Sequence, residues 1–317
     1  MRKLIHTGDW HLKIPETYED FYIKRFQTFI NLLLQEKADY IAITGDLFDR
    51  SPCVIEVSLM IWALTVLSED STLLVIPGNH DVGNKRYKAQ RYHYLNALFN
   101  NLNFENIIYT DDILEYEQFL LVSNQYIRSK QKIPKINDKI LLSHIRHELS
   151  FSDKVRKAEY DLVELGVNFK LCLLSDIHTT FEYLPNILYS SSPYRTTIKN
   201  INSTNEIDDS FFGYNKVDLD TLIVEHKEIF LPNYYKLHLD KEIELPKYPG
   251  IIECIYEMQL DQLMKSNQTN VKLKRKYTDI HLQENLYDMI QEILISDYGI
   301  KDPEFYMTKL LKLVGDI

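Results

Sequence analysis

The chain reads as an α/β protein: a four-layer β-sandwich of two sheets flanked by helices, then a small α+β unit and a C-terminal helix-loop-helix. Three observations predict it. Short apolar runs bounded by turn residues occur at Lys3–Thr7, Tyr40–Thr44 and Leu73–Pro77, with helical periodicity between them. That order argues for consecutive parallel strands with helices on the faces. From about residue 107 to 230 short strands dominate and helical signals thin out, which fits a second sheet packed on the first better than one long sheet. Around Leu231 the pattern resets.

The elements follow in order. Phe21, Phe26, Phe29, Ile30, Leu33 and Leu34 recur at helical spacing after the first strand, and Ile55, Leu59, Ala63, Leu64 and Leu67 after the second. The later strands are expected at Ile107–Tyr109, Phe119–Val122, Ile140–Ser143, Lys170–Ser175 and Leu222–Val224, with Asn200–Ser210 a polar surface loop. Tyr235–Leu239 reads as a strand, Gly250–Leu263 as a mixed apolar run compatible with a helix, and Val271–Tyr277 as a strand with alternating basic residues. The tail carries two amphipathic patterns, on Leu286, Met289, Ile290 and Ile293 and on Phe305, Met307, Leu310, Leu311 and Leu313. Tyr298-Gly299 and Pro303 punctuate them. The expected divisions are therefore 1–233, a main α/β domain; 234–277, a small α+β unit; and 278–317, a helical tail.

With 317 residues, 45% of them hydrophobic, the chain can bury a full α/β core and a second, smaller unit. Its three cysteines (Cys53, Cys172, Cys254) are too few and too scattered for a disulfide framework and read as buried reduced thiols. The start turns polar too soon for a signal peptide, and no apolar run approaches ~18 residues. A soluble cytoplasmic protein with no membrane association is the expectation. The net charge of -10 argues against indiscriminate nucleic-acid binding. It does not exclude a nucleic-acid enzyme, because divalent cations offset carboxylates and basic residues cluster at Arg128–Lys135, Lys154–Lys157 and Lys272–Lys276.

Four polar strings carry the chemistry. They are Asp9-Trp10-His11, Gly45-Asp46-Leu47-Phe48-Asp49, Gly78-Asn79-His80-Asp81, and the late pair His144 and Asp176-Ile177-His178. Each directly follows a buried-strand pattern, where open α/β sheets place their ligand sites. Carboxylates, imidazoles and one carboxamide delivered to one edge outline a two-metal site, which needs an anionic bridge between ions ~3.5–4 Å apart. Asp46, between small Gly45 and Leu47, has room to bridge. The set holds no thiolate and suits Mn, Fe, Zn or Mg. Gly-Asn-His-Asp straight after Leu73–Pro77 is the most specific piece, and the ordered set is more specific still.

These strings resemble the calcineurin-like metallophosphoesterase superfamily, and within it the SbcD / meiotic-recombination-eleven nucleases. Gly45–Pro52, Leu74–Asp81, Tyr189–Arg195 and a closing strand Val217–Val224 are similar to that branch in wording. The resemblance covers roughly residues 1–235, and a bacteriophage origin fits the short chain. It implies that Asp9, His11 and His178 hold a first metal, that Asp46 bridges, and that Asn79, His144 and Asp176 hold a second. It makes His80 the catalytic histidine, oriented by a hydrogen bond to Asp49, and Arg195 a phosphate-contact candidate. The family's last motif is Gly-His-x-His, where this chain has Ser175-Asp176-Ile177-His178.

The resemblance further implies a manganese-dependent (or magnesium-dependent) DNA nuclease of recombination and repair. Such enzymes act as 3′-to-5′ exonucleases on duplex ends and as single-strand endonucleases. The partner would be an SbcC-like coiled-coil ATPase docked on the helical tail, in a homodimer within a heterotetramer, with residues 234–277 as the capping domain. Two other readings stay open: a phosphomonoesterase or cyclic-nucleotide phosphodiesterase on the same scaffold, and a non-catalytic DNA-binding subunit with a degenerate second metal site. The six other histidines, His147 least clearly, read as structural, and Asp81 as a cap on the turn after the third strand.

Overall fold

The computed structural model describes residues 2–15, 17–81, 94–101, 105–146, 159–178, 181–196, 199–201, 212–239 and 250–256. In chain order, β1 (Lys3–Thr7), α1 (Glu19–Gln35), β2 (Tyr40–Thr44), α2 (Val54–Asp70), β3 (Thr72–Ile76), α3 (Tyr94–Asn101) and β4 (Ile107–Tyr109) form the alternating half. Strands β1 to β4 are all parallel. There follow β5 (Ile113–Tyr116), β6 (Phe119–Val122), α4 (Asn124–Arg128), β7 (Ile140–His144), α5 (Leu162–Asn168), β8 (Leu171–Ser175), β9 (Phe181–Leu184) and β10 (Ile187–Tyr189). The chain then adds β11 (Lys199–Ile201), β12 (Gly213–Asp218), β13 (Val224–Glu228), β14 (Tyr234–Leu239) and β15 (Ile251–Tyr256).

The strands make two six-stranded sheets, ordered β13-β12-β1-β2-β3-β4 and β5-β6-β7-β8-β10-β9, and a three-stranded one, β11-β14-β15. Strand alternation sorts the apolar side chains into layers. In β2, Ala42 faces the second sheet while Ile41 and Ile43 face α1 and α2; in β8, Leu171 and Leu173 face the first sheet while Cys172 and Leu174 face α5. Burial on both faces is why these strands read as unbroken apolar runs. Each fully buried Leu or Ile contributes roughly 1.5–3 kcal/mol. Helix α1 buries Tyr22, Arg25, Phe26, Phe29, Ile30 and Leu33, a single stripe of the expected period.

Several expectations need correction. Val217–Val224 is not one strand: β12 ends at Asp218, whose carboxylate accepts from the N–H of Asp220 (2.9 Å), and Leu222 (φ 59°) turns the chain into antiparallel β13. That hairpin, like β4, belongs to the first sheet and not the second. The run from Gly250 starts as strand β15, because Ile251–Tyr256 pairs in parallel with Tyr234–Leu239 of β14. The expected loop at Asn200–Ser210 begins inside β11, which pairs with Tyr235–Leu237. Cys172 is buried, but Cys53 is exposed at the N-cap of α2. Val271–Tyr277, the helical tail 278–317 and His147 lie outside the described residues. Among the described residues no helix is long and apolar enough to cross a membrane.

Candidate metal centre

Five parallel strands end at one place. β1, β2 and β3 deliver Asp9 and His11, Asp46, and Asn79 and His80 from the first sheet; β7 and β8 deliver His144, and Asp176 and His178, from the second. The loops after β1 and β2 run side by side, with Asp9 N donating to Gly45 O (3.0 Å) and His11 N to Asp46 O (2.8 Å). Glycine makes this closeness feasible: a Cβ on Gly45, at φ 95°, would sit 2.7 Å from the Gly78 backbone. Five of the ten described non-glycine residues with positive φ are Asp9, His11, Asp46, Asp176 and His178. Such backbone is held against its own preference and clusters at functional sites.

Several bonds tie the sheets together here, among them Thr44 Oγ1 to Ser175 Oγ. His144 Nδ1 donates to Thr44 O (2.9 Å), which leaves its Nε2 as an unprotonated ligand in the neutral ring, and Asp176 N donates to Asp9 Oδ2 (3.0 Å). Asp46 divides its carboxylate. Oδ1 accepts from His80 N (2.8 Å), and Oδ2 stands 3.5 Å from both His11 Nε2 and His144 Nε2. That oxygen is equidistant from two imidazole nitrogens, a place from which a carboxylate could bridge two ions.

The donor set fits two cations. His11 Nε2 and His178 Nε2 face each other at 3.0 Å, and Asp9 Oδ1 lies 3.9 Å from each. Asp9, His11 and His178 bring ligating atoms within 4.8 Å of one another, as do Asp9, Asp46 and His144. Asp9 Oδ1 and His144 Nε2 are buried without a hydrogen-bond partner. The Asn79 side-chain oxygen points at Asp176 Oδ1, 3.0 Å away, and Asp176 Oδ1 is 3.5 Å from His144 Nε2. Turned by half a rotation, that amide donates to Asp176 Oδ1 (3.0 Å) and its oxygen accepts from His80 N (3.2 Å).

Electrostatics agree. Burial opposes charge on His144 and His11, yet the surrounding carboxylates, Asp46 foremost for His144 and Asp49 for His11, outweigh it and raise both. Burial would raise Asp46, but His144, His11 and His80 hold it below the usual carboxylate range. Cations at the centre would displace those protons, so ion binding should release them.

One assigned role changes in detail. His80 Nδ1 donates to the backbone carbonyl of Asp49 (2.8 Å), not to its carboxylate. That carboxylate is engaged by His11 Nδ1 (3.5 Å) and Lys13 Nζ (2.9 Å), which hold it well below the ordinary range. Asp81 caps the turn after β3 and also braces the loop after β2: it is buried and accepts from the N–H groups of Gly78 (2.9 Å), Phe48 (3.0 Å) and Leu47 (3.3 Å). Burial, and then Asp46, push its pKa up to about 6. Arg195 lies over the rings of Phe212 (5.6 Å) and Tyr235 (5.5 Å), at the foot of β14.

Lys13 and Arg146 are the site residues that sequence reasoning missed. Each stands two positions past a candidate ligand, His11 or His144, but the backbone there is not strand (His11 has φ 43°, and β7 ends at His144), so no local period marks either residue. Arg146 Nε lies 3.5 Å from Asp176 Oδ2.

A family model described as calcineurin-like phosphoesterase matches residues 2–180. No curated protein matches the chain. Among solved structures, TT1561 of Thermus thermophilus is similar at 15% identity over 72% of this chain and 98% of that one, with a TM-score of 0.43. An archaeal phosphodiesterase is similar at 11% identity over 72% and 99%, TM-score 0.37. The purple acid phosphatase PPD1 of yellow lupin seeds is similar at 14% identity over 68% and 49%, TM-score 0.37. The family match spans more than half of the chain, from β1 through the His178 loop, and takes in every candidate ligand that the two sheets bring together. The chain therefore belongs to the calcineurin-like phosphoesterases, metal-dependent hydrolases of phosphate esters.

Proposed function

We propose that this phosphoesterase is a DNA nuclease, working with an SbcC-like coiled-coil ATPase in the processing of DNA ends in the cytoplasm. The observation that carries the reading is the lopsided burial of the centre. Asp9, His11, Asp46 and His144 are buried, whereas His80 is exposed and the His178 side chain is 39% exposed. Lys13, 42% exposed, stands on the same side. A phosphodiester inside a long polyanion needs an open approach of this kind, with a cation beside it. The wording of Gly45–Pro52 and Leu74–Asp81 supports the same branch.

Asp9, His11 and His178 would hold one ion, and Asn79, His144 and Asp176 the other, with Asp46 shared; manganese is the expected metal. Divalent ions there supply charge neutralisation on the phosphoryl oxygens and a more acidic water. The chain's own part is orientation and proton transfer. With Nδ1 anchored on Asp49 O, the His80 ring presents Nε2 beside the Asn79 carboxamide, 3.3 Å away. From there it can protonate the leaving oxygen. Residues 234–277 would cap the substrate side, and the tail 279–317 would dock the ATPase.

The purified chain with manganese should degrade end-labelled duplex from 3′ ends, nick circular single-stranded DNA and hydrolyse bis-p-nitrophenyl phosphate. Cleavage of phosphomonoesters alone would overturn the nuclease reading. Removing residues 279–317 should abolish co-purification with the ATPase and leave diester hydrolysis intact. A truncated chain that is molten would place the tail in the core instead.

A further inference from the structure

We infer that Arg146 is a positioning residue for the second ion, holding Asp176 as a one-oxygen ligand and offsetting the charge that a carboxylate brings to that place. The inference rests on the two-ion reading of the centre, not on the choice of DNA as substrate. The two oxygens of Asp176 are divided between tasks. Oδ1 faces His144 Nε2 at 3.5 Å and the Asn79 carboxamide at 3.0 Å, whereas Oδ2 faces Arg146 Nε at 3.5 Å. Arg146 Nη2 also reaches Asn79 Oδ1, at 3.4 Å. One guanidinium thus touches both oxygen-bearing side chains that set the second site apart from the first.

Arg146 is itself held in place. Its N–H donates to Glu159 Oε2 (3.2 Å), and Glu159 N donates back to Arg146 O (3.1 Å). The Glu159 carboxylate is drawn mainly to Arg128, 3.2 Å from both Nε and Nη2, while Arg146 Nη1 stays 4.0 Å off. The guanidinium is therefore left facing Asp176 and Asn79, and the Arg146 side chain is only 21% exposed. The backbone of Asp176 is constrained as well, at φ 121° with its N–H on Asp9 Oδ2. An imidazole at position 176 would have neither a second oxygen to restrain nor a charge to offset. A carboxylate has both, and a free Oδ2 could swing in to chelate or turn away. A rigid planar fork two residues past His144 suits that restraint.

The test is a double-mutant cycle on the full chain, stripped by chelation and titrated with Mn²⁺ by calorimetry, with circular dichroism to confirm folding. Arg146→Ala should weaken the second binding step by about 10–100-fold, as loss of an outer partner of a ligand does, and leave the first step unchanged. In an Asp176→His background the same substitution should cost no more than about 3-fold, because the coupled pair is already broken. Arg146→Lys keeps the charge without the fork, so its loss should be intermediate; it carries the same comparison if the alanine variant fails to fold. Equal losses in both backgrounds would overturn the proposal. So would an unchanged second step accompanied by a raised KM, which would make Arg146 a phosphate contact. A wild-type chain that takes up a single ion would instead refute the two-ion centre, a separate failure.

Discussion

Replacing Gly78 with alanine should remove metal binding through one misplaced methyl group. A Cβ at position 78 would lie 2.1 Å from Asp46 Oδ1, 2.5 Å from Asp46 N and 2.8 Å from Asp46 Cγ. Comfortable contacts begin at about 3.5 Å, so Asp46 and its own backbone must retreat by roughly 1 Å. Asp46 cannot simply swing aside, because Oδ1 is bonded to His80 N and its φ is already 52°. Overpacking costs about 1–3 kcal/mol. Contact with backbone argues for the upper end, a fall in Tm of about 6–12 °C for a domain of this size. A displacement of ~1 Å at the bridge should lower turnover about 100-fold. The control is Gly166→Ala in α5, where the new methyl meets the tips of Leu184 (3.0 Å), Asn186 (3.3 Å) and Ile187 (3.3 Å). Those tips can yield, and alanine gains ~0.5–1 kcal/mol over glycine within a helix, so Tm should scarcely move and ion binding should persist. Calorimetric melting and Mn²⁺ titration of both variants decide it. A Gly78→Ala chain that binds two ions and hydrolyses diesters at the wild-type rate would show that Asp46 is not the bridge.

Asp46→Ala should lose both ions, whereas His80→Ala should keep them and lose most turnover; full turnover by the latter under saturating manganese would cancel the catalytic assignment of His80. His6 offers a prediction about pH. Burial pushes its pKa from 6.5 down to about 3, with Nε2 on Thr44 Oγ1 and Nδ1 on Asn215. The unfolded chain therefore takes up a proton that the folded chain refuses, and stability should fall as pH drops from 6.5 toward about 3. The slope from this one group is at most ~1.4 kcal/mol per pH unit. Denaturant melts of His6→Gln should show a shallower acid limb, and superimposable limbs would mean that His6 does not stay neutral.

The strand-end positions of the candidate ligands Asp9, Asp46, Asn79, His144 and His178 are legible in the sequence because each follows an unmistakable apolar run. Their backbone strain is not. Nothing in the identity of His11 or Asp176 announces positive φ, which neighbouring loops impose through bonds such as Asp176 N to Asp9 Oδ2. The resemblance implies the Asp49 carboxylate for His80, whereas His11 and Lys13, both more than 30 positions away in the chain, engage it. Competition between long-range partners does not show in local pattern. The hairpin at Leu219–Ile223 hid for another reason: Leu219, Leu222, Ile223 and Val224 extend an apolar run through a turn fixed by Asp218. The isoleucines of β15 suit either regular structure, and only pairing with β14 decides between them.

The placement of the ligands couples ion binding to the union of the two sheets. Asp9 and His11 come from the first sheet and His178 from the second; Asn79 comes from the first, His144 and Asp176 from the second; Asp46, from the first, would serve both ions. Deeper in the sandwich the sheets adhere through Leu4, Leu74, Leu142 and Leu173. At the strand ends that adhesion gives way to carboxylates and imidazoles whose lone pairs face one another. Without cations between them those groups oppose the close approach that the apolar layer favours, and with cations they reinforce it. Ion binding is then folding free energy for the sandwich as a whole. At ions held at 100 times Kd the gain is ~2.7 kcal/mol per site, so saturating manganese should raise the Tm of the wild type by several degrees in one cooperative transition. The Asp46→Ala chain should show no such rise. If its Tm climbs with manganese as steeply as that of the wild type, the ions are not clamping the two sheets through Asp46.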